Sequence, residues 1–324
     1  MNKHSFLQNI ILFLKGLAMG AADVVPGVSG GTIAFVVGIY EELLETIDKL
    51  NFSFFKVWKK DGIRQAWKQY NLQFLVVLGA GIVFSIISLA KAITYLLGTY
   101  PIMVWAFFFG LILASIFYII KQMNAWKFWE YIACIITAIF AYFLTLAKPL
   151  GGAESYFFFF LAGFFGIIAM ILPGISGAFI LLLIGAYLPV LDTLNSLVEA
   201  LKQRESSTII YSGIRVALFI IGMITGLKVF SKVLTYLFNN FKNITFAVLT
   251  GFMIGSLNKI WPWKEVIETR INSKGEEVPL LEKSVLPAAY NSDPNVLLAI
   301  ICMVLGLLLI LSLEFFASKK GKIN

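Results

Sequence analysis

The chain has 324 residues, 59% of them hydrophobic and only 14% charged, which excludes a water-soluble globular surface and defines a polytopic membrane protein. The formal net charge of +8 on so apolar a chain points to the anionic lipid headgroups of a cytoplasmic membrane face as partner, with no nucleic acid implied. Apolar runs along the whole length leave no room for a sizeable soluble domain.

The first stretch, Met1 to Met19, carries Lys3 and an apolar run. No small-residue cleavage site follows it, so it is expected to belong to the membrane domain and not to a signal peptide. His4, the lone histidine, sits at the terminus and is not expected to be catalytic. Phe6 to Met19 is apolar apart from Gln8, Asn9 and Lys15, and is then interrupted by Gly20-Ala21-Ala22-Asp23-Val24-Val25-Pro26-Gly27-Val28-Ser29-Gly30-Gly31-Thr32. Pro26 removes a backbone donor and clashes with the preceding turn, so the helix must break here. In hydrocarbon, the freed backbone groups are tolerated only inside protein or against a wet cavity, and such a break marks a candidate site. Residues 6–47 therefore read as a re-entrant hairpin of two half-length helices, each too short to cross about 30 Å of hydrocarbon.

Residues 48–70 interleave Lys49, Lys56, Lys59, Lys60, Arg64 and Lys68 with Phe52, Phe54, Phe55, Trp58 and Trp67, the mixture of an amphipathic helix lying in the cytoplasmic interface. Spans follow at Leu72 to Ala90, with a short helical piece to Tyr100, at Pro101 to Ile120 and at Tyr131 to Ala147. The second half opens with Tyr156 to Met170, a second break, and Ala178 to Leu197, a hairpin over 156–197. Then come a span at Ile209 to Leu227, a polar-studded piece from Lys228 to Lys242, a span at Ile244 to Ile260, a charged loop from Trp261 to Pro294, and a last span from Asn295 to Phe315.

The break occurs twice. Leu172-Pro173-Gly174-Ile175-Ser176-Gly177 repeats Val25-Pro26-Gly27-Val28-Ser29-Gly30 at an offset of 147, in register with the pairs Gly16/Gly163, Gly38/Gly185, Tyr40/Tyr187 and Thr46/Thr193. Lys91 to Leu96 matches Lys232 to Leu237 at an offset of 141, with Gly110/Gly251 and Ser115/Ser256 following. Paired segments of this kind signal an internal duplication, here 1–150 and 151–324 within one integral membrane domain. With the first hairpin entering from the cytoplasm, three spans precede the second, which then enters from outside. The expected fold class is an all-α membrane protein of two inverted-topology repeats.

Each Pro-Gly-x-Ser-Gly break offers backbone N–H groups and a serine hydroxyl ahead of a half-helix, the ingredients of an anion site without side-chain charge. Ser29, Gly30, Gly31 and Thr32 of the first break and Ser176 and Gly177 of the second are the candidate phosphate ligands; the alternative is that the glycines only permit close helix packing. No Walker signature follows the glycines. Asp23 is a candidate for a coupling proton or cation, or a cap for the freed backbone. Arg215, early in a span, suits a phosphate fork or snorkels to the nearer interface. Lys91 and Lys232 form a matched pair suited to gathering phosphate, against the reading of ordinary interfacial lysines; Lys15 and Glu314 are weaker candidates near span ends. Glu41, Glu42 and Glu45 read as a solvated acidic face. Cys134 and Cys302 read as buried thiols, and no metal or cofactor is called for.

On the paired motifs Gly20 to Thr32 and Leu172 to Gly177, the sequence resembles the bacterial polyprenyl-phosphate transporters of the PopT type. The resemblance implies movement of undecaprenyl phosphate from the outer to the inner leaflet of the plasma membrane, recycling the carrier lipid of cell-wall polymers. A lipid monophosphate needs a headgroup pocket near the midplane while its tail stays in lipid. Rocking of two repeats would expose that pocket to each leaflet in turn. Two other readings use the same scaffold: a membrane phosphatase of polyprenyl diphosphate, whose motif needs an arginine where this sequence has Gly30 and for which no histidine but the terminal His4 is available here, and an ion or small-anion transporter.

Overall fold

A chain in hydrocarbon must satisfy its backbone N–H and C=O groups internally, and the helix is the form that does so within one segment. The structure, a computed structural model, describes residues 6–24, 28–51, 53–123, 126–147, 155–271 and 277–321. Lys3, His4 and the Val25, Pro26 and Gly27 of the first break lie outside the described residues, as do the side chains of Lys91 and Glu314.

The first half comprises α1 (Phe6–Val24), α2 (Gly30–Val36), α3 (Tyr40–Lys49), α4 (Ser53–Asp61), α5 (Ile63–Gln69), α6 (Leu72–Thr99), α7 (Pro101–Gln122) and α8 (Phe128–Leu146). The second comprises α9 (Tyr156–Ile171), α10 (Gly177–Leu183), α11 (Tyr187–Gln203), α12 (Ser206–Asn240), α13 (Lys242–Ser256), an antiparallel hairpin of β1 (Lys264–Ile271) and β2 (Glu277–Ser284), and α14 (Val296–Gly321). Among the described residues, 5 helices are long and apolar enough to cross a membrane, or 6 if α10 and α11, bent by 105°, count as one. The protein is thus a helical membrane protein with one small β-hairpin.

Several boundaries differ from the sequence reading. The first arm is no half-length helix: α1 has 19 residues, about 28 Å at 1.5 Å per residue, and the break falls at its end. The expected single interfacial helix is two, α4 and α5, hinged at Gly62 where φ is 83°. Phe55, Trp58, Ile63 and Trp67 stand exposed on them. α6 and α12 run unbroken to Thr99 and Asn240, through the pieces expected to be separate, because neither segment holds a proline that would end the helix. The Trp261 to Pro294 loop folds into the β-hairpin, whose Glu265-Val266-Ile267-Glu268-Thr269 run carries residues suited to a strand.

The two halves share their local geometry. α2 and α10 each have 7 residues, and each ends at a glycine in the left-handed region, Gly38 at φ 70° and Gly185 at 71°. No L-residue adopts that angle without strain. The corner between α6 and α7, Tyr100 at φ −133° and ψ 54°, is repeated between α12 and α13 by Phe241 at −137° and 44°.

Packing follows the same pairing and then crosses over. α1 lies along α6 and α9 along α12, whereas α8 of the first half lies along α13 of the second, and α14 returns to lie along α7. Each half therefore completes the other. The α1–α6 and α9–α12 seams close at glycines: a Cβ on Gly81 would meet the Phe13 carbonyl oxygen at 2.3 Å, and one on Gly222 would meet that of Phe160 at 2.1 Å. Between the halves, Phe35 and Tyr40 pack against Phe246 and Phe238, with ring centroids 5.6 and 6.0 Å apart, which holds the first break's short helices to the α12–α13 corner.

Candidate functional site

The first break hands its polar groups to the second. Ser29, 1% exposed, caps α2 by accepting the Gly31 N–H at 3.1 Å and donates its own hydroxyl to the Met170 carbonyl at 2.7 Å. Thr32, fully buried, accepts the Gly174 N–H at 2.8 Å, and the Tyr40 hydroxyl donates to the Ile171 carbonyl at 3.2 Å. A helix that breaks in an apolar medium leaves N–H and C=O groups that need partners; here side chains of the first break and of α3 supply them to the second. Asp23 closes the first break internally, its carboxylate accepting the Gly30 N–H at 2.7 Å, which is capping chemistry.

The equivalent segments are buried unequally. All 7 residues of α2 are buried, whereas of α10 only Leu183 is. Ser176 makes no side-chain cap bond to α10. With Gly174 and Ile175 it lines a narrow cleft completed by Ala141, Leu144, Thr145, Phe179, Ser256 and Lys259. α2 is covered on every side, whereas the second break borders a small, largely apolar hollow whose wall includes one cation.

That cation, Lys259, lies in the 3-10 turn that ends α13, with its ammonium 4.9 Å from the Phe179 ring centre and 3.7 Å from the Glu282 carboxylate. Glu282 is also 3.5 Å from Lys264, which lies 3.6 Å over the Trp105 ring. Burial pushes Lys264 down to about 8, against the pull of Glu282. The hairpin that brings Glu282 here is pinned by the Trp261 indole N–H on the Val285 carbonyl at 2.8 Å and by the Ser284 hydroxyl on Asn258 Oδ1 at 2.9 Å.

The other predicted residues lie elsewhere. Arg215 lies over the Tyr211 ring at 4.1 Å, with Phe159 at 5.1 Å, and does not line the cleft. Lys232 is exposed on α12, so the matched lysines are not gathered at the breaks through it. Lys15 donates to the Val37 carbonyl at 2.6 Å, which caps α2. Glu41 pairs with Lys242 at 2.9 Å and Glu45 with Lys49 at 3.1 Å, all of them on the surface. The sequence reading missed Lys259, which falls at the end of the span expected from Ile244 to Ile260. Its signal was its position three residues after Ser256, hence on the same side of a helical turn.

The fold and the cleft define a class: a multi-pass helical membrane protein in which two broken helices, one from each half, meet through hydrogen bonds. The chain belongs to the VCA0040-like, undecaprenyl phosphate translocase-like family, whose model matches residues 19–278. It is 46% identical over 311 residues, 95% of this chain and 96% of the relative, to the polyprenyl-phosphate transporter of Vibrio cholerae. It is 32% identical over 265 residues, 78% of this chain and 86% of the relative, to the polyprenyl-phosphate transporter of Staphylococcus aureus. No solved structure matches it.

Proposed function

We propose that this protein carries polyprenyl phosphate from the outer to the inner leaflet of a bacterial plasma membrane, returning the carrier lipid for reuse, by alternating access of two inverted repeats. The names of its relatives supply the substrate. The observation that carries the mechanism is the unequal burial of α2 and α10. Two segments of matched length and matched turn geometry, one closed and one beside a cleft, are what an inverted-repeat transporter presents when open to a single face. In the opposite state the roles exchange, with the first break opening and the second closing. The Gly30 and Gly31 N–H groups and the Thr32 hydroxyl, engaged here by Asp23, Ser29 and Gly174, become available to phosphate when the breaks part. Asp23 is the proposed coupling group, and α4 and α5 rest on anionic lipid at the cytoplasmic face.

Leaflet assignment of labelled undecaprenyl phosphate in proteoliposomes tests the reading. Protein-dependent movement of the phosphate lipid is expected, and it weakens in Ser29→Ala and Ser176→Ala. Hydrolysis of polyprenyl diphosphate by the purified protein without lipid movement would replace it with an enzyme. For the coupling role, Asp23→Asn keeps a side-chain oxygen to accept the Gly30 N–H. Gradient-dependent transport that survives this change would remove Asp23 from coupling.

A further inference from the structure

The charge around the cleft does not balance. One carboxylate, Glu282, stands between two ammonium groups, 3.7 Å from Lys259 and 3.5 Å from Lys264, and the three side chains are 20, 21 and 7% exposed respectively. Placing two cations on one anion in a poorly hydrated spot leaves a net positive charge that water screens weakly. Neither distance is that of a close charge-assisted bond, which runs at about 2.7–2.9 Å. Lys264 is fixed by its seat on Trp105. Lys259 is the cation that lines the cleft, as Ser176 also does.

The other lysines of the membrane domain whose partners are seen are committed elsewhere. Lys228 donates to the Ile47 and Asp48 carbonyls, both at 2.8 Å, which caps α3. Lys15 caps α2. Lys242 pairs with Glu41 on the surface. Lys259 alone among these combines a shared, distant counter-ion with a position on the second break. A phosphomonoester bearing close to two negative charges would supply what the cluster lacks, while Thr145 and Ser256, whose hydroxyls already donate to the Tyr142 and Met253 carbonyls, shape the wall.

We propose that Lys259 and Ser176 receive the phosphomonoester head of a lipid in this cleft, the phosphate displacing Glu282 as the counter-ion of Lys259. The assignment rests on the transport reading above and adds to it the residue that reads the headgroup. Glu282 is then an internal anion that occupies Lys259 when no substrate is bound and is carried to it by the β-hairpin. The lipid head, not free phosphate, is the ligand, because the cleft lies beside a break in a membrane helix, where a tail can remain in hydrocarbon.

The test is binding of a fluorescent short-chain polyprenyl phosphate to the full-length protein in nanodiscs, with unlabelled polyprenyl phosphate, the matching polyprenol and inorganic phosphate as competitors. Lys259→Met is expected to weaken binding by about tenfold or more, the loss of one charge-assisted contact. Lys259→Arg should retain most of it, Glu282→Gln should strengthen it several-fold, and Lys283→Met, which changes an exposed hairpin lysine, should leave it unaltered. Each variant's thermal unfolding is measured alongside, and Lys259→Arg with Glu282→Gln carries the test should Lys259→Met fold poorly. Wild-type binding that Lys259→Met leaves intact overturns the assignment while the transport reading stands. Polyprenol competing as well as its phosphate overturns it too, because the head would not be read, and inorganic phosphate competing equally would make the free ion the ligand. A wild-type protein that neither binds nor moves the phosphate lipid sinks the transport reading itself.

Discussion

The Ser29 hydroxyl, itself buried, donates to the Met170 carbonyl across 141 residues of chain at 2.7 Å. The same oxygen accepts the Gly31 N–H, so one side chain caps α2 and ties the first break to the second. Ser29→Ala leaves a buried amide and a part-buried carbonyl without this partner, at a cost of about 1–3 kcal/mol. A lowered unfolding temperature in detergent is expected, with a parallel loss of lipid movement. An unchanged unfolding temperature would show that the bond contributes nothing.

Tyr40 and Tyr187 occupy matched positions at the start of α3 and α11. The Tyr40 hydroxyl donates to the Ile171 carbonyl, whose counterpart in the first half is Val24. If the breaks exchange roles, Tyr40→Phe weakens the present state and Tyr187→Phe the opposite one, each by about 1 kcal/mol, or roughly a fivefold change in population. In a variant with Cys134 and Cys302 replaced, a single cysteine at Ala34, fully buried here, reports on opening of the first break. Its thiol labelling should rise with Tyr40→Phe and fall with Tyr187→Phe. Shifts of the same sign would discard the exchange.

Two glycines of α6 separate close packing from plain helix propensity. A Cβ on Gly81 would lie 2.3 Å from the Phe13 carbonyl oxygen, whereas one on Gly79 meets nothing within 4 Å. Gly81→Ala should force α1 and α6 apart, with a fall in folded yield and thermal stability. Gly79→Ala should be neutral or stabilising by up to about 1 kcal/mol. Thermal scans of the two variants side by side decide it.

Lys264 titrates at about 8 in the folded protein, below its ordinary 10.5, because burial disfavours its charge more than Glu282 favours it. Between those two values the unfolded chain holds the extra proton, so this group makes the fold more stable as pH rises from about 8 towards 10.5, and contributes a constant penalty below 8. The difference in unfolding temperature between wild type and Lys264→Met should therefore change over that window and be flat from pH 6 to 7. A difference independent of pH up to 10 would show that Lys264 keeps its ordinary affinity for protons.

Composition alone placed this chain in a membrane, since 59% hydrophobic residues cannot all be hidden inside a soluble fold of this size. The repeated Pro-Gly-x-Ser-Gly located both breaks, because a proline ahead of glycines interrupts a helix whatever surrounds it. The offset of 147 was equally plain, and the matched angles at Gly38 and Gly185 lie where it set them. These are local properties, fixed within a few residues of where they are read.

Tertiary structure decided what no local pattern carries. That α8 packs on α13 and α14 on α7 depends on which apolar faces find each other, and apolar helices of similar composition do not announce their partners. That the first break's Gly30 and Gly31 amides are engaged by Asp23 and Ser29, and the second break's Gly174 amide by Thr32, follows from side chains turning onto backbone that their spacing does not single out. That Lys259 lines the same cleft as Ser176, 83 positions earlier in the sequence, with Glu282 brought to it by a hairpin read only as loop, comes from long-range packing. The chain writes down where its backbone must break; only the folded molecule shows which charges gather around the break.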